Sequence, residues 1–368
     1  METPETTGTD PARDQVTARN LKLKDVAELA GVSTKTVSNV LNDRPHISAH
    51  TRERVRQAVA ELGYRPNPNA RLLRKRRTAV IALAVPEIEL QYFAELAAAI
   101  HRTAERRDYT VLLEQTGGDE ERERRVAAGF RANLIDGLIL SPLALPSEDV
   151  LAYAGRRPLV LLGERFYPDV PADHVAIDNV AASRAAVAHL IGQGRERIAV
   201  VGTQEAYRGP TDLRIQGYRE ALAQAGLPLR PELERTVGTL GRSDGAQAMT
   251  RLLDSGVEFD AVFCLTDLLA LGALRELHDR SIRVPDDIAV AGFDDIEEGR
   301  FSVPRLTTIS PDKQQIAELA VTHLLGRLDG ELDEPPGRIT ADFRLAVRES
   351  TAGRGHPPRE APPPEAWG

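Results

Sequence analysis

From Thr78 onward the chain alternates between short apolar runs and amphipathic stretches. The runs are AVIALAVP, YTVLLEQ, GLILSP, PLVLLGE, RIAVVG, AVFCL and IAVAGFDD. Between them apolar side chains recur at helical spacing over 93–107, 120–131, 180–193, 214–225, 244–255, 268–280 and 312–328. Strands that alternate with helices build parallel sheets with helices on both faces. Residues 78–349 are too many for one such sheet. The alternation therefore predicts an α/β core of two lobes, each with a doubly wound parallel sheet. A ligand is expected between them, at the C-terminal ends of the strands.

The stretch before Thr78 has another period. KDVAELAGVSTKTVSNVLN, residues 24–42, reads as two short helices with a tight turn between them. Val26, Leu29 and Ala30 mark the inner face of the first. Gly31 can take the left-handed conformation that ends it. Ser33 is placed to cap the second, and Val37, Val40 and Leu41 supply that helix's buried side. Thr34, Lys35, Ser38 and Asn39 are left on the outer face, where a helix entering the major groove reaches base edges and phosphates. A third helix is expected over 48–62, capped by Ser48, with Arg52, Glu53, Arg54 and Arg56 on its wet side. Gly63, Pro66 and Pro68 end this small all-α head.

Charge separates the two parts. The whole chain carries −8, yet residues 21–77 hold 13 Lys and Arg against 5 Asp and Glu. A basic head on an acidic body confines phosphate binding to one end. No apolar run reaches the ~20 residues of a membrane span. The polar first 20 residues are unlike a secretory signal, so a cytoplasmic location is expected. One cysteine, Cys264, excludes an internal disulfide and a Cys-rich zinc site. No GxSxG, P-loop or HExxH pattern occurs, so neither an enzyme nor a cofactor or metal site is expected. Residues 1–20 and the proline-dense residues 350–368 read as disordered tails.

The helical pair 24–42 resembles the helix-turn-helix of the LacI/GalR family almost residue for residue, and the resemblance runs on to about Arg348. It implies a transcription regulator, most simply a repressor, that binds a pseudo-palindromic double-stranded operator as a homodimer. Ser33, Thr36, Ser38 and Asn42 would then contact the DNA beside the base-reading Thr34, Lys35 and Asn39. The head spans 21–66 and a hinge 67–77. By composition alone, 69–74 is a plain basic linker, too short to hold a helix in water. By resemblance it is a hinge helix that folds on the operator. There Ala70 and Leu73 match the hinge positions, Leu73 wedges a base step, and Arg71 and Arg74 meet phosphates. The resemblance also implies a periplasmic-binding-protein-like core with lobe one at 78–193 and 309–329 and lobe two at 194–308 and 330–349. Helices 93–107 and 268–280 are the candidate dimer faces.

For the effector, Arg214 matches the Arg-x-x-Gly-aromatic motif, and Asp294 the acidic ligand after IAVAGF. Tyr92 and Phe93 match an aromatic pair at the lip of lobe one, with core packing as the other reading. Asp178 matches the Asp-Asn at a helix start; an ordinary helix cap explains it equally well. Arg208, six residues before Arg214, is a further candidate for the same cleft. Thr266 stands where many sugar-responsive relatives carry asparagine, which opens the effector's identity. A sugar comes first, a purine or nucleoside second, and control by a partner protein third. A free sugar-binding receptor would share the fold but lack the basic head.

Overall fold

The computed structural model describes residues 22–41, 47–64, 77–128, 134–154, 157–163, 165, 167–204 and 210–352. The chain forms two compact units, residues 1–77 and 78–368.

In the first unit, α1 (Leu23–Ala30) stops at Gly31, which takes φ 61°. A side chain there would be strained. The Ser33 hydroxyl accepts from the Thr36 amide at 3.0 Å and opens α2 (Thr34–Leu41). Ser48 does the same for α3 (Ala49–Leu62), accepting from the Thr51 amide at 3.2 Å. Each such cap contributes about 1 kcal/mol. Val26, Ala27, Ala30, Val37, Val40, Val55, Ala58 and Tyr64 form the small core. Leu29, expected inside, is 46% exposed. On so short a helix Val26, Ala27 and Ala30 already fill the face toward α2 and α3, and Leu29 falls about 100° from Ala30. Arg54 lies on the wet side as expected, but its guanidinium turns back to donate to the Ala30 carbonyl at the end of α1.

The second unit holds two six-stranded sheets. The first contains β1 (Val80–Val85), β2 (Thr110–Gln115), β3 (Gly137–Leu140), β4 (Leu159–Leu162) and β5 (Asp173–Ile177). Its sixth strand is β11 (Arg338–Ala341), and the order is β11-β5-β4-β3-β1-β2, all parallel. The second sheet contains β6 (Ile198–Thr203), β7 (Glu234–Thr236), β8 (Ala261–Cys264), β9 (Ala289–Phe293), β10 (Thr307–Pro311) and β12 (Phe343–Ala346). Its order is β12-β10-β9-β8-β6-β7. It departs from the all-parallel expectation at one edge, because β12 runs antiparallel to β10. The helices that follow are α4 (Gln91–Glu105), α5 (Glu120–Ala127), α6 (Ser147–Ala154) and α7 (Asn179–Gly192). After them come α8 (Pro210–Gln224), α9 (Arg242–Asp254), α10 (Asp267–Asp279), α11 (Glu297–Phe301), α12 (Lys313–Asp329) and α13 (Glu349–Ala352). β5, β7, β10 and α6 were not among the predicted elements; β7 has only three residues, and the polar residues of β5 and β10 hide the apolar pattern.

The crossings between lobes differ from the sequence reading. Helix α7 packs on α8 and the second sheet, so the first crossing is at Asp178, not near Gly194. Helix α12 packs on β3, β4 and β5, which puts the second crossing at Asp312, close to the expected 309. The third was expected near 330. Instead β11 joins β5 of the first sheet and the chain crosses at Asp342. Asp178 and Asp312 cap the helices that begin there, accepting from the Ala181 and Gln315 amides at 2.9 Å. The Asp312 amide also donates to the Asp342 carbonyl at 2.9 Å, which ties the second and third crossings together. The fold runs past 349 as well: Ser350 and Thr351 are buried, and the Ser350 hydroxyl donates to Val290 and accepts from the Thr307 amide.

Candidate functional site

The first candidate surface is the outer face of α2. Ser33, Thr34 and Lys35 are exposed, while Thr36, Ser38 and Asn39 are half-buried. Ser33 and Thr36 share a hydroxyl contact of 2.8 Å at the helix start. The residues predicted to read DNA are therefore presented at and beyond the N-terminus of a capped helix. Asn42, Ala70, Arg71, Leu73 and Arg74 lie outside the described residues, as does Arg208.

The second is a cleft between the two sheets, lined by residues of both lobes. Tyr92, Phe93, Arg214, Thr266 and Asp294, all expected there, line it together. Tyr92 and Phe93 meet edge to face, with centroids 5.3 Å apart, and both also pack on the core. Asp178 is not part of the lining, and its carboxylate serves the cap of α7. Its neighbour Asn179 does not line the cleft either, but its Oδ1 accepts from Arg214 Nε at 3.0 Å and so holds a residue that does.

Arg214 is fixed on every side. Its guanidinium lies 3.6 Å from the Phe293 ring centroid, Nη1 donates to the Leu265 carbonyl at 2.6 Å, and Asp294 Oδ1 stands 3.6 Å away. A cation over an aromatic face is attracted by the ring quadrupole, more strongly where water is excluded. The glycine of its motif explains the approach of α7: a Cβ on Gly217 would run into the Val180 carbonyl and the Ser183 side chain. Close packing of α7 on α8 is what brings Asn179 to Arg214.

Asp294 and Asp295 follow β9 with φ of 116° and 48°. Such backbone costs of order 1–3 kcal/mol per residue and persists only where its surroundings hold it. Asp295 provides the hold. Its buried carboxylate takes Arg348 Nη2 at 2.6 Å, the Ser310 hydroxyl at 2.8 Å and Arg300 Nη2 at 3.1 Å. Burial alone would raise this carboxyl, but the charge and hydrogen bond of Arg348, with Ser310 and Arg300, bring it down to about 2. Beneath it, Asp267 accepts from the Ile296 amide at 2.9 Å and the Thr308 hydroxyl at 2.5 Å. Burial, then the charge of Asp294, push the Asp267 carboxyl well above its ordinary value.

The lobe-one wall is mostly apolar and has an anchor that the sequence concealed. Glu123 sits in EERERR, a run that looks like a solvated face. Its side chain is buried and accepts from the amides of Leu143, Ala144 and Leu145 at 2.8, 2.9 and 2.7 Å. Arg165 donates to the Leu143 carbonyl and the Tyr167 hydroxyl to that of Leu145 at 2.9 Å. A loop with its amides and carbonyls satisfied in this way gives the cleft a firm wall. Thr211, three residues before Arg214, also lines the cleft without having been predicted.

This geometry has relatives among known proteins. Residues 22–67 match the family of bacterial regulatory proteins, lacI family, and residues 187–351 match the periplasmic binding protein-like domain. The chain is 33% identical over 345 residues to the HTH-type transcriptional repressor CytR of Escherichia coli (strain K12), covering 92% of this chain and 98% of that protein. It is similar in structure to the lac repressor dimer bound to operator and the anti-inducer ONPF. That TM-score is 0.74 at 29% identity, covering 90% of this chain and 99% of the other. A complex of the transcriptional regulator CelR with cellobiose gives 0.65 at 32% identity, with 90% and 99% covered. Head, core and cleft thus recur together across nearly the whole length, and the chain belongs to the lacI family of DNA-binding transcriptional repressors.

Proposed function

We propose that this repressor binds its operator as a homodimer and is released or retained by a small molecule, a sugar in the first place, held in the cleft between the lobes. The observation that carries this reading is the Arg214–Asp294 pair. Two charged side chains, from α8 and from the end of β9, face one cavity with guanidinium donors and carboxylate acceptors set side by side. That combination suits neighbouring hydroxyl groups, which donate and accept at once. The CelR relative holds cellobiose in the same fold, which supports a sugar. The lac repressor relative is a dimer on operator, which supports the assembly. In the head, Thr34, Lys35 and Asn39 read bases while Ser33, Thr36, Ser38 and Asn42 meet phosphates. Ala70, Arg71, Leu73 and Arg74 form the hinge that folds on DNA.

Ligand control requires that the effector bind one arrangement of the lobes more tightly than the other. The three crossings at Asp178, Asp312 and Asp342 are where such a rearrangement would turn. The test is to titrate an operator, selected from random DNA, against the parent and the Arg214→Ala and Asp294→Ala variants. Both variants are expected to hold the operator and to lose the response to any sugar or nucleoside that shifts the parent. Normal ligand affinity in both, by calorimetry, would refute the assignment.

A further inference from the structure

Helix α12 begins with a cation in an unfavourable place. Lys313 is its first residue, and the N-terminus of a 17-residue helix carries partial positive charge of its own. The side chain is also withdrawn from water, at 12% exposed. A lysine is seldom buried without partners for its charge and its donors. Here Nζ donates to Glu95 Oε2 at 2.6 Å and to the Asp295 carbonyl at 3.1 Å, and it lies 5.6 Å from the centre of the Tyr92 ring.

Those partners belong to different lobes. Glu95 and Tyr92 stand on α4 of lobe one, and Asp295 on the strained loop after β9 of lobe two. Lys313 comes one residue after the crossing at Asp312. Its ammonium therefore pins the lobe-two loop to lobe one, beside a point about which the lobes would turn. Glu95 and Lys313 lie outside the lining of the cleft, yet both are tied to residues within it. Glu95 Oε1 accepts from Gln91 Nε2 at 3.3 Å, and Gln91 and Tyr92 line the lobe-one wall. Asp294, next to the pinned carbonyl, lines the lobe-two wall. Moving one wall away from the other must stretch or break the bond to Asp295. Hydrogen bonds from an ionised donor are among the stronger ones, so this bond biases the lobes toward one arrangement.

We propose that Lys313 is an interlobe clasp: its ammonium, oriented by Glu95, keeps the two lobes drawn together in the ligand-free protein and sets the position from which any effector must move them. The clasp itself involves no ligand. Its effect on DNA alone rests on the proposed control by lobe rearrangement.

The experiment is double electron–electron resonance on the ligand-free full chain, mixed with an excess of unlabelled chain so that only distances within one protomer are read. Cys264 is buried, so spin labels go on Glu148→Cys in the first turn of α6 and Ser243→Cys in the first turn of α9. These are exposed residues of lobe one and lobe two. Lys313→Met keeps the stem and removes the ammonium. It should lengthen the interlobe distance by several ångströms and broaden its distribution. Glu95→Gln leaves the bond to Asp295 without the charge that orients it, and should shift the distance the same way but less. Parent distances in Lys313→Met would overturn the proposal. A lower melting temperature with parent distances would do so too, because that is what a plain ion pair within lobe one gives. Should Lys313→Met fail to fold, Glu95→Gln decides in the same way. Lys313→Met should also change operator affinity by about five-fold or more. A lengthened distance with unchanged operator affinity would leave the clasp standing and take control of DNA binding away from the lobes.

Discussion

The two lobes share a strand plan, and each has a side-chain carboxylate almost wholly withdrawn from solvent beside an arginine, Asp173 in lobe one and Asp295 in lobe two, but at opposite ends of the strands. In lobe one, Asp173 is the first residue of β5. It takes Arg327 at 2.8 and 3.0 Å and the Gly337 amide at 3.2 Å, which fastens the start of β11. In lobe two, Asp295 comes two residues after β9 and holds the loop that presents Asp294 to the cleft. Ligands of open α/β sheets sit at the C-terminal ends of strands. The same kind of pair therefore serves assembly in one lobe and the wall of the candidate cleft in the other. Position along the strand decides what a buried ion pair does.

The largest effect should come from breaking the pair at the cleft. Arg348 and Asp295 side chains are each 1% exposed, and removing one partner of such a pair costs about 3–5 kcal/mol. Arg348→Met should show that loss in urea unfolding and lose ligand affinity as well, since the strained Asp294–Asp295 backbone is no longer held. Arg327→Met is the matched change in lobe one. Arg327 is 18% exposed, so a smaller loss of about 1–3 kcal/mol is expected, with ligand affinity kept. Loss of affinity in both variants, or in neither, would erase the distinction between the lobes.

Acid should act on both. For Asp173, burial opposes the shift, but the Arg327 hydrogen bonds, the Gly337 amide and the charges of Arg327 and His323 lower the carboxyl. Both carboxyls thus titrate below their unfolded value of 3.8. Their contribution is complete above about pH 4 and is lost as pH falls, for Asp295 through about 2. That carboxyl alone accounts for about 2 kcal/mol. Urea midpoints measured from pH 5 to pH 2 should fall, and the Arg348→Met variant should fall less steeply. A parallel fall in parent and variant would assign the acid sensitivity elsewhere.

In the head a smaller and purely selective effect is expected. Lys35→Ala should change the ranking of operator variants by about 1–3 kcal/mol per lost base contact and leave core stability unchanged. Ser38→Ala should weaken all sequences alike. An unchanged ranking in Lys35→Ala would return that side chain to the phosphate backbone.

Much of this was legible beforehand. The head was, because its helix ends are local chemistry: Ser33, Ser48 and Gly31 each act within three residues of themselves. The two parallel sheets were, because the period of apolar residues does not depend on what lies far away. Leu29 was misplaced because a short helix has an ambiguous inner face. The first and third crossings were missed because β5 and β11 carry polar residues and their sheet is decided by pairing with strands distant in the chain. Asp178 and Asn179 could be told apart only once α7 was seen to leave from lobe two. Glu123 and Thr211 gave no signal, since a glutamate in a charge run and a threonine in a first turn come to support or line the cleft only through the packing of segments distant in the chain.

The most direct test of the central claim, that the lobe-two wall of the cleft governs DNA binding, is the ratio of operator dissociation constants with and without one saturating ligand. It should be measured by fluorescence anisotropy in the parent, Arg327→Met and Arg348→Met, at a temperature where all three are folded. The account predicts a ratio well away from one in the parent and in Arg327→Met, and near one in Arg348→Met. A ratio in Arg348→Met equal to the parent's, at the ligand concentration that saturates the parent, would contradict it.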